Sequence, residues 1–89
     1  MSTVFIAFQA NEESRPIVEA VLADNPHAVL HESPAMVKID AEGKLVIKRE
    51  SIEERLGRDF DLQELQINLI TISGHLDEDD DEFTLAWKN

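Results

Sequence analysis

Residues 3–9, TVFIAFQ, constrain the fold more than any other stretch of this chain. Successive side chains of an extended segment point to opposite faces. Val4, Ile6 and Phe8 therefore share one face, and Phe5 and Ala7 share the other. A strand that is apolar on both sides is expected to be covered on both. The period then changes. In 11–25, Ile17, Val18, Val21 and Leu22 form a helical stripe, and Pro16 fits only in a first helical turn, where its missing N–H costs nothing. Glu12 and Glu13 lie at the positive end of the helix dipole, and Asn25-Pro26 ends the helix.

The rest of the chain reads as short elements set apart by turn residues. Residues 28–32 and 35–41 predict two strands around Ser33-Pro34, and Ala41-Glu42-Gly43-Lys44 is a turn leading into a strand over 45–49. Ser51-Ile-Glu-Glu54 has the form of a capping box opening a short helix that stops at Gly57. Asp61-Leu-Gln-Glu64 is a similar start signal for a second short helix. INLITIS, 67–73, and EFTLAWK, 82–88, are strand-like, with Phe83, Leu85 and Trp87 on one face of the latter. The acidic run 77–82 joins them as the exposed loop of a hairpin. Repeats, linkers and heptads are absent from the sequence. The order strand–helix–strands–helices–strands predicts an α+β fold: a mostly antiparallel sheet, one longer N-terminal helix and two short helices, in a single domain over 1–89.

Charge and composition narrow the function. Nineteen acidic residues against eight basic ones give a net charge of −11. Nucleic acid and anionic membranes both require a basic footprint, so neither is an expected partner. A protein partner with a positive rim is consistent with this charge, as is simple solubility. The absence of cysteine excludes disulfides, thiolate nucleophiles and cysteine-ligated metal sites, and suits a cytoplasmic location. The apolar stretch 4–8 is too short for a signal peptide, and nothing approaches the roughly 20 apolar residues of a membrane span. A chain of 89 residues also has little room for both a core and a deep pocket.

Chemistry-bearing patterns are weak. Gly43, Gly57 and Gly74 stand alone, so no phosphate loop can be built from them. His27 and His31 flank a strand, where four residues span roughly 13 Å, too far to share a metal. Asp77, Asp79 and Asp81 match the start of an EF-hand loop, but Glu82 stands where glycine is needed and Lys88 where the bidentate glutamate belongs. No serine or threonine is visibly matched to a histidine and an acid. Segment 67–74 remains. As a strand it carries Ile67, Leu69, Thr71 and Ser73 on one face and Asn68, Ile70 and Ile72 on the other. It is either a central strand covered on both sides or an apolar patch that a partner covers.

VFIAFQANEESRPIVEAVLADNPHA and the long run from ESPAMVKID to FTLAW together resemble the regulatory (effector, or coupling) proteins of bacterial multicomponent monooxygenases, most closely the phenol hydroxylase branch. The most specific stretch is LGRDFDLQELQINLITISG. Within it Leu56-Gly57, Phe60, Ile67-Asn68 and Gly74 follow the pattern shared with the toluene and methane branches. The resemblance implies a protein that is not itself an enzyme and carries no cofactor. It implies a partner, a hydroxylase with a carboxylate-bridged diiron centre, that receives NADH-derived electrons from a flavin and iron–sulfur reductase. The regulatory protein would sit over the diiron subunit and couple those electrons and O₂ to hydroxylation of phenols. By the same resemblance Asn68, Leu69, Ile70, Thr71, Ile72, Ser73 and Gly74 are expected to face the hydroxylase. The methane branch has small polar residues where this chain has Ile70 and Ile72. Two other classes stand beside this one. An acidic DNA mimic would spread carboxylates over one face, whereas here the densest run is one local loop. A small carboxylate hydrolase would turn over substrate as the isolated chain.

Overall fold

The computed structural model describes residues 3–87. Strand β1, Thr3–Gln9, is followed by helix α1, Ser14–Asp24, and then by β2 (Val29–Glu32), β3 (Met36–Glu42) and β4 (Lys44–Lys48). Helix α2 (Arg49–Leu56), a 3₁₀ turn (Leu62–Glu64), the single-turn α3 (Leu65–Asn68), and β5 (Leu69–Ser73), β6 (His75–Glu78) and β7 (Glu82–Ala86) complete the described chain. The strands form two sheets, ordered β2-β3-β1-β5 and β4-β7-β6, and every pairing among the described residues is antiparallel.

β1 sits inside the first sheet, as its two apolar faces require. It pairs with β3 along its whole length, Thr3 opposite Glu42 to Gln9 opposite Met36, and with β5 on its other edge. Val4, Ile6 and Phe8 are core residues. On the opposite face Ala7 is fully buried, and the Lys38 ammonium lies 4.4 Å from the centre of the Phe5 ring. The aliphatic stripe of α1 meets this core through Ile17, Val18 and Val21, joined by Leu45, Ile47, Ile52, Phe83 and Leu85 from the second sheet and α2. Asn25 fastens the end of α1 to that sheet. It is 2% exposed, its Nδ2 donates to the Val21 and Val46 carbonyls at 2.7 Å each, and its Oδ1 accepts the Val46 N–H at 2.9 Å.

Several expectations need correction. The first helix begins at Ser14, follows a strand, and at 11 residues is little longer than the 8 of α2, so it is not the long N-terminal helix the stripe suggested. At its entry the Asn11 Oδ1 accepts the Ser14 N–H at 2.9 Å, and Glu13, just ahead of the helix, already has helical backbone angles. The capping box at Ser51 does not form, because α2 starts at Arg49 and encloses Ser51. The Arg49 N–H is satisfied from far along the chain by the Asp81 carbonyl at 2.9 Å, and the Arg49 guanidinium meets the Asp81 carboxylate at 2.7 Å. The box at Asp61–Glu64 does form, in both directions.

Segments 67–73 and 82–88 are not hairpin partners. β5 belongs to the first sheet, and the acidic hairpin is β6–β7 in the second. Among the described residues the chain passes between sheets three times: once through α2, the 3₁₀ turn and α3, from β4 to β5, and twice directly from strand to strand, each time at one glycine with positive φ, Gly43 (φ +86) between β3 and β4 and Gly74 (φ +134) between β5 and β6. A β-carbon is disfavoured at such angles. At Gly74 there is also no room for one, since it would stand 3.0 Å from Val4 Cγ1 and 3.1 Å from Leu85 Cδ1. Phe83 and Leu85 are buried as the alternation predicts. Trp87 lies beyond the strand, 48% exposed, with its Nε1–H donating to the Thr3 carbonyl at 3.0 Å; Lys88 lies outside the described residues.

Candidate docking surface

The capping box at Asp61 launches the local structure that builds the surface. Its carboxylate accepts the Gln63 N–H, and the Glu64 carboxylate reaches back to the Asp61 N–H, both at 2.9 Å. The 3₁₀ turn seats Leu62 in the core and runs directly into α3, which seats Leu65 there and turns Ile67 outward, 67% exposed. Ile67 and Asn68 are thus helical, and the strand starts only at Leu69.

β5 is an edge strand whose only neighbour among the described residues is β1. It is not the doubly covered central strand that its composition allowed. The register carries a bulge: Ala7 pairs with Thr71 but the next residue, Phe8, pairs with Leu69, which leaves Ile70 as the extra residue. A bulge re-aims the side chains around it. Leu69 and Ile72, three apart, both pack against the core, while Ile70, at 47% exposure, and Thr71 face solvent. An unbroken strand would send Leu69 and Ile72 to opposite faces. Helix turn and bulge together leave Ile67 and Ile70 as two of the four large hydrophobic side chains exposed among the described residues.

The seven candidate positions therefore separate by role. Ile70 and Thr71 are open to a partner; Leu69, Ile72, Ser73 and Gly74 are half-buried. Asn68 is only 7% exposed, and its Oδ1 accepts the Asn11 Nδ2–H at 2.9 Å. Ile67, one position ahead of the candidate set, is the most exposed of the group. Asn11 belongs to no motif in the sequence. The signal that could have found it is its place three residues before the buried Ser14, where a cap residue belongs. Beside Asn68 a hollow of about 150 Å³ is lined by Ile17, Leu56, Phe60 and Ile67, with Glu13 and Glu64 at its rim.

Elsewhere the structure offers little chemistry. His27 meets the Lys44 carbonyl at 3.0 Å, and His31 meets Asp40 at 2.9 Å, each at the surface. His75 lies 3.2 Å from Asp77. Among the described residues no group of three or more histidines and acids is arranged to hold a metal ion. One expectation holds only in part: a hollow of about 440 Å³ does open between α1 and the β2–β3 pair, lined by Val18, Leu22, Leu30 and Val37. No histidine lines it. Among the described residues no helix is long and apolar enough to cross a membrane.

Comparison with known proteins agrees with this geometry. The chain is 56% identical, over 99% of its length and 98% of the relative's, to the stimulatory component DmpM of phenol 2-monooxygenase from Pseudomonas sp. (strain CF600). Its fold matches a chain in a structure of a phenol hydroxylase–regulatory protein complex with a TM-score of 0.93 and 55% identity, covering 98% of this chain and 100% of that one. The soluble methane monooxygenase regulatory protein B matches at a TM-score of 0.77 and 22% identity, covering 97% of this chain and 65% of that one, a likeness of fold. The family model MmoB/DmpM matches residues 2–86. With a two-sheet fold, the edge strand β5 and near-complete coverage of a close relative, this chain belongs to the MmoB/DmpM family.

Proposed function

We propose that this protein is the regulatory component of a phenol hydroxylase, and that it acts by docking the α3–β5 edge onto the hydroxylase rather than by chemistry of its own. The observation that carries this reading is the edge itself: two isoleucines, Ile67 and Ile70, held outward by a helix turn and a bulge on a strand with one open side. The relative at 56% identity is named a stimulatory component of phenol 2-monooxygenase, and the structural match at 55% is a chain from a phenol hydroxylase–regulatory protein complex, which supports the choice of partner.

The energetics suffice. Covering the exposed parts of Ile67 and Ile70 supplies about 2–3 kcal/mol. Applied to one hydroxylase conformation in preference to another, that shifts the equilibrium by on the order of a hundredfold. Asn68 to Gly74 are the segment assigned to this contact, with Ile70 and Thr71 touching the partner and Asn68 setting the direction of the segment from behind. In this reading the chain couples NADH-derived electrons, delivered by the reductase, and O₂ to hydroxylation of phenols at the hydroxylase's own diiron centre.

The experiment is NADH-driven phenol oxidation by hydroxylase and reductase, with and without this chain, measuring product against NADH consumed. Higher product yield per NADH on adding the chain is the expected result. No change in rate or yield at saturating protein removes the reading.

A further inference from the structure

A pair of asparagine side chains closes the inner side of the α3–β5 junction. Asn11 and Asn68 are 57 positions apart, and the Asn11 Nδ2–H donates to the Asn68 Oδ1 at 2.9 Å. The same Asn11 amide is held at its other end, because its Oδ1 caps α1 through the Ser14 N–H, also at 2.9 Å. Its own N–H bonds back to the Gln9 carbonyl at 3.1 Å, at the end of β1. The side chain therefore links the start of α1 to the last residue of α3, and the backbone of the same residue is tied to the end of β1.

That link falls where the backbone gives least support. α3 has 4 residues, too few to hold its own geometry. The β1–β5 ladder reaches no further upstream than Leu69, opposite Phe8. Between them lies Asn68, the residue from which the chain leaves the helix and enters the bulged strand. Its neighbours on the outer side are Ile67 and Ile70, 67% and 47% exposed. Fixing the Asn68 amide fixes the exit direction, and with it the separation of the two isoleucines.

We infer that Asn11 is a positioning residue for the docking edge: through Asn68 it sets the α3–β5 junction, so that affinity for the hydroxylase depends on this amide clasp. This rests on the docking reading above, and it assigns a role to Asn11, a residue outside the docking segment.

The two bonds of Asn11 can be separated by substitution. Asn11→Asp keeps an oxygen for the Ser14 N–H, and Asn68 can turn its amide to donate to the second oxygen. Asn68→Asp keeps an acceptor for the Asn11 Nδ2–H. Each single variant preserves both the cap and a clasp. The double variant retains the cap but sets two carboxylates against each other, and such a pair closes only around a shared proton.

The test titrates the four proteins into purified hydroxylase by calorimetry, with melting temperature recorded for each. The singles are expected within about threefold of the wild-type affinity, and the double about tenfold or more below the product of their effects near pH 7.5. The deficit, taken relative to wild type at each pH, closes as pH falls far enough for the pair to hold one shared proton. A second variant guards against a double that does not fold: Asn11→Ser keeps a capping oxygen but cannot span to Asn68, and it is expected to stay folded, with a melting temperature lowered by no more than one lost hydrogen bond explains, and to bind several-fold more weakly. Additive effects in the double, a deficit that low pH does not restore, or full affinity in Asn11→Ser would each overturn the clasp while leaving the docking reading in place. Failure of the wild type itself to bind hydroxylase removes the docking reading and the clasp's role with it.

Discussion

Replacing Gly74 by alanine is the sharpest test of how the two sheets are joined. Two costs fall on the same β-carbon. At φ +134 an L-residue is strained by about 1–2 kcal/mol. The new methyl would also stand 3.0 Å from Val4 Cγ1 and 3.1 Å from Leu85 Cγ and Cδ1, inside ordinary contact distance. Val4 and Leu85 are both fully buried, so neither can swing into solvent. Forcing that much extra volume into a packed core costs about 1–3 kcal/mol more. The sum, about 2–5 kcal/mol, is a large share of the roughly 5–15 kcal/mol that holds a typical domain together. Gly43→Ala is the matched control. It too lies at a sheet-to-sheet crossing with positive φ, but nothing stands within 4 Å of its would-be β-carbon, so only the strain applies. Urea unfolding followed by far-ultraviolet circular dichroism measures both. With a slope of about 1 kcal/mol per molar, Gly74→Ala is expected to lower the midpoint by about 2 M or more, and Gly43→Ala by about half as much. Equal midpoints for the two variants would refute the packing argument, because strain alone would then account for everything.

Ile70→Asp is expected to cost only about 1 kcal/mol of stability, since the side chain is half in solvent at a bulge, yet to weaken hydroxylase binding by tenfold or more in the same calorimetric titration. Asn25→Ala strips three hydrogen bonds at a 2% exposed position and strands the Val46 N–H and C=O, so a loss of about 2–4 kcal/mol should appear in chemical denaturation. Arg49→Ala removes an exposed ion pair with Asp81; its melting temperature should fall by no more than about 1 kcal/mol is worth, and less so in high salt.

Legibility in the sequence followed the range of the forces involved. β1, the stripe on α1 and the alternation of Phe83 and Leu85 express side-chain periodicity, which the residues carry themselves. The box at Asp61–Glu64 is equally local, and it forms. The box at Ser51 has the same grammar but loses to a contact 32 positions away, between Arg49 and Asp81. INLITIS reads as one strand because its composition is uniformly β-prone. The split into a helix turn and a bulged strand depends on what precedes it and on the register with β1, neither of which lies within the segment. The candidate docking segment rests on family resemblance, not on any pattern within it. Its physical division into an outward pair of isoleucines and an inward asparagine became visible only once the register and the Asn11 contact were known.

The hydrogen bond from Trp87 to the Thr3 carbonyl has a practical consequence. It seats the chain's single indole where the end of the second sheet's middle strand meets the start of β1. The fluorophore is half in solvent and tethered by its ring nitrogen, so its emission reports separation of the two sheets directly. A red shift that precedes loss of ellipticity on adding denaturant would mean that this seam opens before either sheet dissolves. The molecule thus carries its own optical gauge of the order in which its halves come apart.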